Sequence, residues 1–207
     1  MFIIRYGNLV MDEAAKLRIA ELGFDAESFS SDIADHKSSL RGEPSVYCGT
    51  YAKYGDGDLS GLWLDIDSFD DYDEFISFCK ALHADEQDPE LMFQDYDSIP
   101  CDLACGECIS KDDFDNIKQY ADLCDRYSKE AVDAFIGWGS EKLEDFEDCY
   151  VGEYNSEEDF AREFVNENYD LERLMGHLAD YFDYKAFAYD LFLWDYYIDE
   201  PYVFRHP

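Results

Sequence analysis

The sequence predicts an α+β fold made of an elongated chain of small domains. Runs of β-prone residues bounded by Gly and Asp occur near both ends of residues 44–207, which is typical of short strands and hairpins. Between them, apolar residues at three- and four-residue spacing indicate amphipathic helices. Aromatic residues make up 17% of the chain, with 17 Tyr and 16 Phe, and they supply enough apolar surface to fill real cores.

The charge of the chain is strongly one-sided. There are 50 acidic residues against 16 Lys and Arg, a formal net charge of −34 over 207 residues. Such a charge usually indicates disorder, but the 47% of hydrophobic residues predicts a folded protein with its acids outside. The stretch DSFDDYDEF shows both properties, because five carboxylates without a base accompany Phe69, Tyr72 and Phe75 at helical spacing.

Residues 1–43 form an N-terminal extension of unknown role. They carry 8 acids and 5 bases, a net charge of −3, which leaves −31 for residues 44–207. The run DEAAKLRIAEL predicts one helix that ends at Gly23. The Ser-rich stretch from there to Pro44 is interpreted as a linker.

Residues 44–109 are predicted to form a first α+β domain. The runs PSVYCGTYAKY and LSGLWLDID flank a Gly/Asp turn and indicate a β-hairpin. The helix DYDEFISFCKALH follows, with an apolar stripe and then an irregular segment through FQDYDSIP. The stripe consists of Phe75, Phe78, Cys79 and Leu82.

Residues 110–148 are predicted to form a helical second domain, and residues 149–207 a third, α+β domain. In the second, Ser110 is the expected N-cap of DDFDNIKQYADLCDRY, and shorter helices follow at KEAVDAFIGW and EKLEDFED. In the third, we expect a strand near CYVGEY and a helix EEDFAREFVNEN that begins after Ser156. A helix around YKAFAYDLF and the strands WDYYID and YVF complete it.

Three features bear on the compartment of the protein. No apolar run approaches the roughly 20 residues of a membrane span, and the start MFIIRYGNLV lacks the pattern of a secretory signal. The seven Cys are an odd number, which favours reduced thiols. The sequence therefore predicts a cytoplasmic protein without a membrane partner.

The segment DGDLSGLWLDID resembles a calcium-binding loop. Asp56, Asp58 and Asp67 occupy ligand positions of that motif, and Gly61 its sharp turn. The last position usually holds the longer Glu, and the preceding segment alternates like a strand where the motif requires a helix. A hairpin turn explains the same Gly and Asp residues, so we favour the turn over the metal.

The segment CDLACGEC places Cys101, Cys105 and Cys108 at a spacing similar to that of iron–sulfur cluster motifs in radical enzymes. The chain is too short for such an enzyme, and a zinc site would need a fourth ligand from elsewhere. Free Cys residues that behave as small hydrophobic side chains are the simpler interpretation. Phosphate-binding and nucleophile motifs are absent from the sequence, so we predict neither a cofactor nor an enzyme.

The acidic residues follow helix faces. On EEDFAREFVNEN, Asp159, Glu163 and Glu167 form an i, i+4 stripe away from the apolar face. Like charges at this spacing destabilise a helix by about 0.2–0.5 kcal/mol per pair, and the net charge adds self-repulsion. Adaptation to salt, binding of cations or of a basic partner, and imitation of nucleic acid could each offset this cost.

Imitation of DNA has a geometric basis. B-DNA carries one charge per about 1.7 Å of axis, and proteins that bind it present Lys and Arg to the phosphates. Carboxylates on successive helical turns lie about 5–6 Å apart at Cβ, which is close to the phosphate spacing along one strand. A rigid acidic surface would therefore be attracted to a DNA-binding groove by the same field that attracts DNA.

Four blocks of the sequence resemble the ArdA-type antirestriction proteins of mobile elements. In chain order they are PSVYCGTYAKYGDGDLSGLWLDI, MFQDYDSIP, VGEYNSEEDFA and FDYKAFAYDLFLWDYYID…YVFR. The resemblance covers about residues 44–207, and the last block is its most specific part. Residues 1–43 and the CDLACGEC cysteines lie outside the pattern of the family.

The resemblance implies a highly acidic, three-domain homodimer that imitates bent B-form DNA. Such a protein occupies the DNA-binding groove of a type I restriction–modification enzyme, on its methyltransferase core, and is neither an enzyme nor a nucleic-acid-binding protein. The acids expected to stand in for phosphates are Asp70, Asp71, Asp73, Glu74, Asp112, Asp115, Asp122, Glu144, Asp145, Glu157, Asp159, Glu163 and Glu167.

The dimer interface is expected in the last third of the chain. A two-fold interface must be self-complementary, so it cannot lie on strongly acidic faces. The least acidic and most aromatic residues there are Phe187, Phe192, Trp194, Tyr196, Tyr197 and Phe204. The alternatives to a DNA mimic are a metal-binding acidic protein and an acidic chaperone of another basic DNA-binding protein.

Overall fold

The computed structural model describes residues 12–104, 106–139 and 142–207. The structure consists of helices and two small antiparallel sheets, which confirms the predicted α+β class. The chain divides into two compact units, one ending at Leu123 and the other beginning at Cys124. The division into four segments at residues 43, 109 and 148 stays a prediction.

The first unit contains one sheet, and helices precede, separate and follow its strands along the chain. Its helices are α1 (Glu13–Glu21), α2 (Phe29–His36), α3 (Tyr51–Gly55), α4 (Tyr72–Leu82) and α5 (Lys111–Arg126), which continues past Leu123, with a 3-10 helix at Ile66–Ser68. Its strands are β1 (Ser45–Thr50), β2 (Leu62–Asp65) and β3 (Leu91–Asp97). The sheet order is β2-β1-β3, and both pairings are antiparallel.

The predicted hairpin exists, but its connection differs from the prediction. β1 pairs with β2 in the register Val46↔Leu64. The residues YAKY, predicted as strand, begin the helix α3 instead. The Thr50 side chain caps this helix by accepting a hydrogen bond from the Lys53 backbone N–H at 3.2 Å, so the chain turns as soon as β1 ends.

The segment predicted to be irregular contains the third strand. β3 pairs along β1 with a register shift after Tyr47, and Met92 and Phe93 are buried. Its sequence, LMFQDYD, is rich in polar residues after the first three positions. The local pattern therefore gives a weak strand signal, and pairing with β1 decides the structure.

The core of the first unit is aromatic. Phe69, Phe75 and Phe78 are fully buried, and the Phe69 ring makes edge-on contacts with Phe75 at 5.2 Å and with Phe78 at 5.4 Å. The predicted stripe on α4 is confirmed, and its last member, Leu82, is buried as well. Edge-on ring pairs of this kind add about 0.5–1.5 kcal/mol beyond the area they bury.

The N-terminal extension packs into this same core. Its predicted helix is confirmed as α1, which is followed by Gly23 at φ +96°. The linker interpretation is wrong, because α2 lies within that stretch and Phe29 is fully buried against Phe78, with ring centroids 5.4 Å apart. The ring of His36 stacks on Phe69 at 4.1 Å. Residues 12–43 are therefore an integral part of the first unit.

The second unit carries the other sheet. Its helices are α6 (Lys129–Trp138), α7 (Phe146–Cys149), α8 (Glu157–Asn168), α9 (Leu171–Met175) and α10 (Tyr184–Trp194), with 3-10 helices at Leu143–Asp145 and Gly176–Tyr181. Its strands are β4 (Tyr150–Glu153), β5 (Tyr196–Asp199) and β6 (Tyr202–Arg205). The sheet order is β4-β6-β5, all antiparallel, and α9 is an addition to the predicted elements.

The second unit has two apolar clusters. In one, α8 and α10 pack together and bury residues such as Phe160 and Leu191. In the other, Phe204 of β6 is fully buried, with ring contacts to Phe135 at 5.4 Å and to Tyr150 at 5.6 Å. Within the described residues, no helix has both the length and the apolar content that a bilayer span requires.

Candidate acidic interaction surface

The start of α4 shows how the fold tolerates a dense group of acids. Asp70, Asp71 and Asp73 are exposed, while Phe69 just before them is fully buried. Asp71 is the N-cap, and its Oδ1 accepts a hydrogen bond from the Glu74 N–H at 2.8 Å. The Glu74 Oε2 in turn accepts one from the Asp70 N–H at 2.7 Å.

These hydrogen bonds explain the local excess of negative charge. The first N–H groups of a helix have no partner within it, and the helix dipole places partial positive charge at that end. Carboxylates in the first turn therefore stabilise a helix by about 0.3–1 kcal/mol each. The segment is held to the core by Phe69 and directs its acids outward.

The helix α5 begins in the same way. The Ser110 Oγ accepts from the Asp113 N–H at 3.2 Å, and the Asp113 Oδ2 accepts from the Ser110 N–H at 2.8 Å, which confirms the predicted cap. The buried face consists of Phe114, Ile117, Tyr120, Ala121 and Leu123. The predicted phosphate mimics of this helix, Asp112, Asp115 and Asp122, are all exposed.

In the second unit, α8 separates its apolar and acidic faces. Phe160, Ala161 and Val165 are buried, and the four predicted acids of the helix are exposed. Those acids are Glu157, Asp159, Glu163 and Glu167. Their neighbour Glu158 forms an i, i+4 ion pair with Arg162 at 2.5 Å. The charge of this helix is therefore partly compensated on one side and concentrated on the other.

The remaining two predicted acids lie before β4. Glu144 is exposed and forms an ion pair with Lys142 at 3.2 Å, and Asp145 is half-buried. The thirteen predicted acids thus belong to three helix starts or faces and one short turn, within two units. Their assignment to partner binding stays a prediction.

The predicted interface residues differ in exposure. Trp194 is 76% exposed, whereas Phe204 is fully buried within its own chain, so the Phe204 side chain has no free surface to offer. Phe187, Phe192, Tyr196 and Tyr197 are half-buried. Exposed apolar residues that the sequence reading did not include lie beside Trp194 on α10 or before that helix, namely Tyr181, Tyr189 and Leu193.

A group with the composition of a metal site lies at a place the sequence analysis did not select. Among the described residues, the ligand atoms of His83, Asp85 and Glu86 lie within 4.8 Å of one another. The Lys53 ammonium occupies the same place, 2.9 Å from the His83 Nδ1, 2.8 Å from Asp85 and 3.4 Å from Glu86. The half-buried Lys53 therefore already supplies the cation for this group.

The lysine also fixes the tautomer of the imidazole. Because the Lys53 ammonium can only donate, the His83 Nδ1 accepts, and the Nε2–H donates to the Cys48 carbonyl oxygen at 3.3 Å. A hydrogen bond from the Cys79 thiol lowers the pKa of the buried Cys48 thiol to about 6, against the opposing effect of burial. The group connects α3 to the end of α4 and to β1.

The metal hypotheses from the sequence receive no supporting group of ligands in the described residues. Asp58 accepts hydrogen bonds from the Ser60 N–H and hydroxyl, as in a polar turn, and Asp67 lies 3.6 Å from the Lys118 ammonium. Cys101 and Cys108 are exposed free thiols, and Cys105 lies outside the described residues.

These features define a folded acidic protein whose carboxylates lie on helix starts and outer helix faces over aromatic cores. Comparison with protein families identifies the class further, because the model of the antirestriction protein (ArdA) family matches residues 46–204. The chain belongs to the ArdA antirestriction protein family. A search of curated proteins gave no match.

Proposed function

We propose that this protein is a DNA mimic that inhibits a type I restriction–modification enzyme by occupying the DNA-binding groove of its methyltransferase core. One inhibitor dimer occupies one groove, and inhibition is stoichiometric and not catalytic. The protein would act in the cytoplasm, where it would protect a mobile element that has just entered the cell.

The presentation of the acids supports DNA mimicry within the antirestriction family. Many of the 50 acids lie on helices whose inner faces are buried in aromatic cores. Such a surface keeps its charges at defined spacings, as a duplex does, whereas a disordered acidic tail does not. Acids one helical turn apart lie about 5–6 Å from each other at Cβ, a spacing similar to that of phosphates along a strand.

Competition between the protein and DNA tests this proposal. A fluorescent duplex containing the recognition sequence is bound to a purified type I methyltransferase core, and unlabelled protein is added. We expect full displacement at about one equivalent of inhibitor dimer per groove, and excess duplex should displace the protein in turn. A ternary complex with both bound at the same site would contradict the proposal.

An acidic chaperone of another basic protein would behave differently in the same experiment. It would leave the methyltransferase–DNA complex intact while binding a different partner. A pull-down from a host extract, with and without competing duplex, separates these outcomes. Loss of a captured type I methyltransferase when duplex is added supports the DNA mimic, whereas capture of a different basic protein supports the chaperone.

We further propose that two copies associate through α10 and the residues around it. Trp194, Tyr189 and Leu193 expose 76%, 64% and 48% of their surface on this helix, and its run YKAFAYDLFLW contains a single acid. A low local charge is necessary because two copies of a polyanion repel each other elsewhere. An isologous contact then joins the same apolar surface of both chains.

A further inference from the structure

One basic side chain lies in the middle of the acidic surface of the first unit. The Lys118 ammonium, on α5, donates to the Asp67 carbonyl oxygen at 3.1 Å and to the Phe69 carbonyl oxygen. It also lies 3.6 Å from the Asp67 carboxylate. The residues it joins are about 50 positions apart in the sequence, since the two contacts span 51 and 49 residues.

The position of Lys118 connects two groups of predicted phosphate mimics. One of its backbone partners, Phe69, immediately precedes Asp70, and the N-cap Asp71 follows. On its own helix, Asp115 and Asp122 lie one turn before and one turn after it, on the same face. The ammonium therefore joins the acidic start of α4 to the acidic face of α5.

The choice of acceptors indicates what this contact does. A lysine that served mainly to neutralise charge would point to carboxylates, but Lys118 directs two hydrogen bonds to backbone carbonyls. Its side chain is 28% exposed, compared with 51% for Asp67, so the lysine is more buried than the acid beside it. Hydrogen bonds from charged donors are stronger than neutral ones, and these two fix the backbone from which the acids project.

We propose that Lys118 is a positioning residue of the partner-binding surface, which holds the acids of residues 67–74 at a fixed place relative to those of α5. This inference rests on the proposed function as a DNA mimic. A mimic must present its charges at set distances, and repulsion between the two acidic groups works against that. Lys118 opposes the repulsion and supplies the geometric restraint.

Charge counting and positioning make opposite predictions for the loss of Lys118. Lys118→Met makes the protein more negative by one charge. If net charge alone determined affinity, this change would strengthen binding to a basic groove. If Lys118 positions the acids, the same change weakens binding. Several exposed contacts of about 0.2–1 kcal/mol each would then be misplaced, which corresponds to roughly a tenfold loss of affinity.

Lys111 provides a matched control. It lies seven residues before Lys118, two turns along the same face of α5, and is exposed. In the described part of the chain it has no hydrogen bond to residues 67–69. Lys111→Met therefore makes the same change of charge on the same helix face without removing the restraint.

The experiment combines two measurements on both variants. Displacement of duplex from the methyltransferase core measures inhibition, and amide hydrogen exchange measures the order of residues 67–71. We expect Lys118→Met to inhibit about tenfold less well and to exchange faster at residues 67–71 but not in β1. We expect Lys111→Met to match or exceed the wild type in inhibition, with unchanged exchange.

Equal or stronger inhibition by Lys118→Met, with unchanged exchange, would overturn the proposal. If Lys118→Met does not fold, Lys118→Gln, which removes the same charge, is judged by the same two criteria. If the wild type itself fails to displace DNA, the proposed function is wrong, and the exchange measurement still decides whether Lys118 orders the segment. If Lys118 only stabilised the fold, its removal would raise amide exchange throughout the first unit.

Discussion

At the scale of single residues, carboxylates of the same chemistry have different roles in this protein. Asp71 accepts a backbone hydrogen bond at a helix start, and Asp70 and Asp73 project into solvent beside it. Asp65, at the end of β2, is half-buried, and burial raises the pKa of its carboxyl although a hydrogen bond from the Asp67 N–H opposes this. An acidic composition therefore does not make every acid part of a binding surface.

The raised pKa of Asp65 predicts a pH-dependent effect of Asp65→Asn. A folded-state pKa above the unfolded value means that ionised Asp65 destabilises the fold at neutral pH, and that this penalty disappears as pH falls below the unfolded value. The variant should therefore unfold at a higher temperature than wild type near neutral pH. The difference should vanish near pH 3, below the ordinary Asp pKa of 3.8.

Thermal unfolding followed by circular dichroism at several pH values measures this difference. Asp56→Asn is the control, because Asp56 is exposed and the substitution removes the same charge without removing a half-buried carboxylate. If the melting temperature at neutral pH rises no more for Asp65→Asn than for Asp56→Asn, burial of the Asp65 carboxylate has no energetic effect.

At the scale of elements, α8 shows a conflict between local electrostatics and the proposed function. The acids of its first turn are stabilised by the positive end of the helix dipole, but Glu167 lies in the last turn, where an acid is unfavourable. The stripe of Asp159, Glu163 and Glu167 adds like-charge pairs at i, i+4 spacing. Packing of Phe160 and Val165 against the core offsets this cost.

We expect the triple change Asp159→Asn, Glu163→Gln and Glu167→Gln to raise stability and lower inhibition together. Relief of two like-charge pairs should increase the free energy of unfolding by about 0.5 kcal/mol, while loss of three contacts should weaken inhibition about tenfold. Each single change, like Asp115→Asn on α5, should weaken inhibition less than about threefold.

Denaturant unfolding and duplex displacement measure these two effects on the same preparations. Because misfolding would lower both stability and inhibition, a rise in stability together with a loss of inhibition excludes misfolding as the cause. If one single change abolished inhibition in a fully folded protein, a localised site would explain the activity better than a distributed acidic surface.

At the scale of the whole molecule, the net charge of −34 opposes both compaction and association of two copies. The aromatic cores supply the opposing free energy for folding, and ring contacts join elements throughout both units, as between Phe24 and Phe78 or Phe160 and Phe192. Salt reduces the repulsion without weakening these contacts, so stability and binding should respond to salt in opposite directions.

We expect added NaCl to stabilise the fold and to weaken inhibition. Exposed charges are screened over about 10 Å at 0.1 M salt, which reduces repulsion within the protein and attraction to a basic groove. The melting temperature should rise between low and moderate NaCl while displacement of the inhibitor from the methyltransferase core becomes easier. A melting temperature that falls over this range would contradict a fold limited by repulsion.

We expect Trp194→Glu to dissociate the proposed dimer while leaving the chain folded, because the side chain is 76% exposed and the change places a charge in an apolar contact. Light scattering should give about twice the chain mass of 24.1 kDa for wild type and a mass nearer one chain for the variant. Tyr54→Glu, at another exposed aromatic residue, should leave the mass unchanged. A wild-type mass of one chain at high concentration would exclude the dimer.

The sequence by itself determined the elements whose signals are local. The caps Ser110 and Ser156 predict the starts of α5 and α8, and the apolar stripe from Phe75 to Leu82 predicts α4, because capping and helix faces depend on residues three or four positions apart. The resemblance to the antirestriction family also depends only on the sequence, since four blocks carry it, and the family match over residues 46–204 confirms it.

Only the tertiary structure decided the features that depend on distant contacts. β3 is polar in its second half and forms through pairing with β1, α2 belongs to the core through Phe29, and Lys53 meets His83 across 30 residues. Lys118 is the clearest case, since nothing near it in the sequence reveals that it holds the segment of Asp67. A local pattern determines which face of a helix is apolar, but the contact partner of a side chain depends on the tertiary packing of the whole domain.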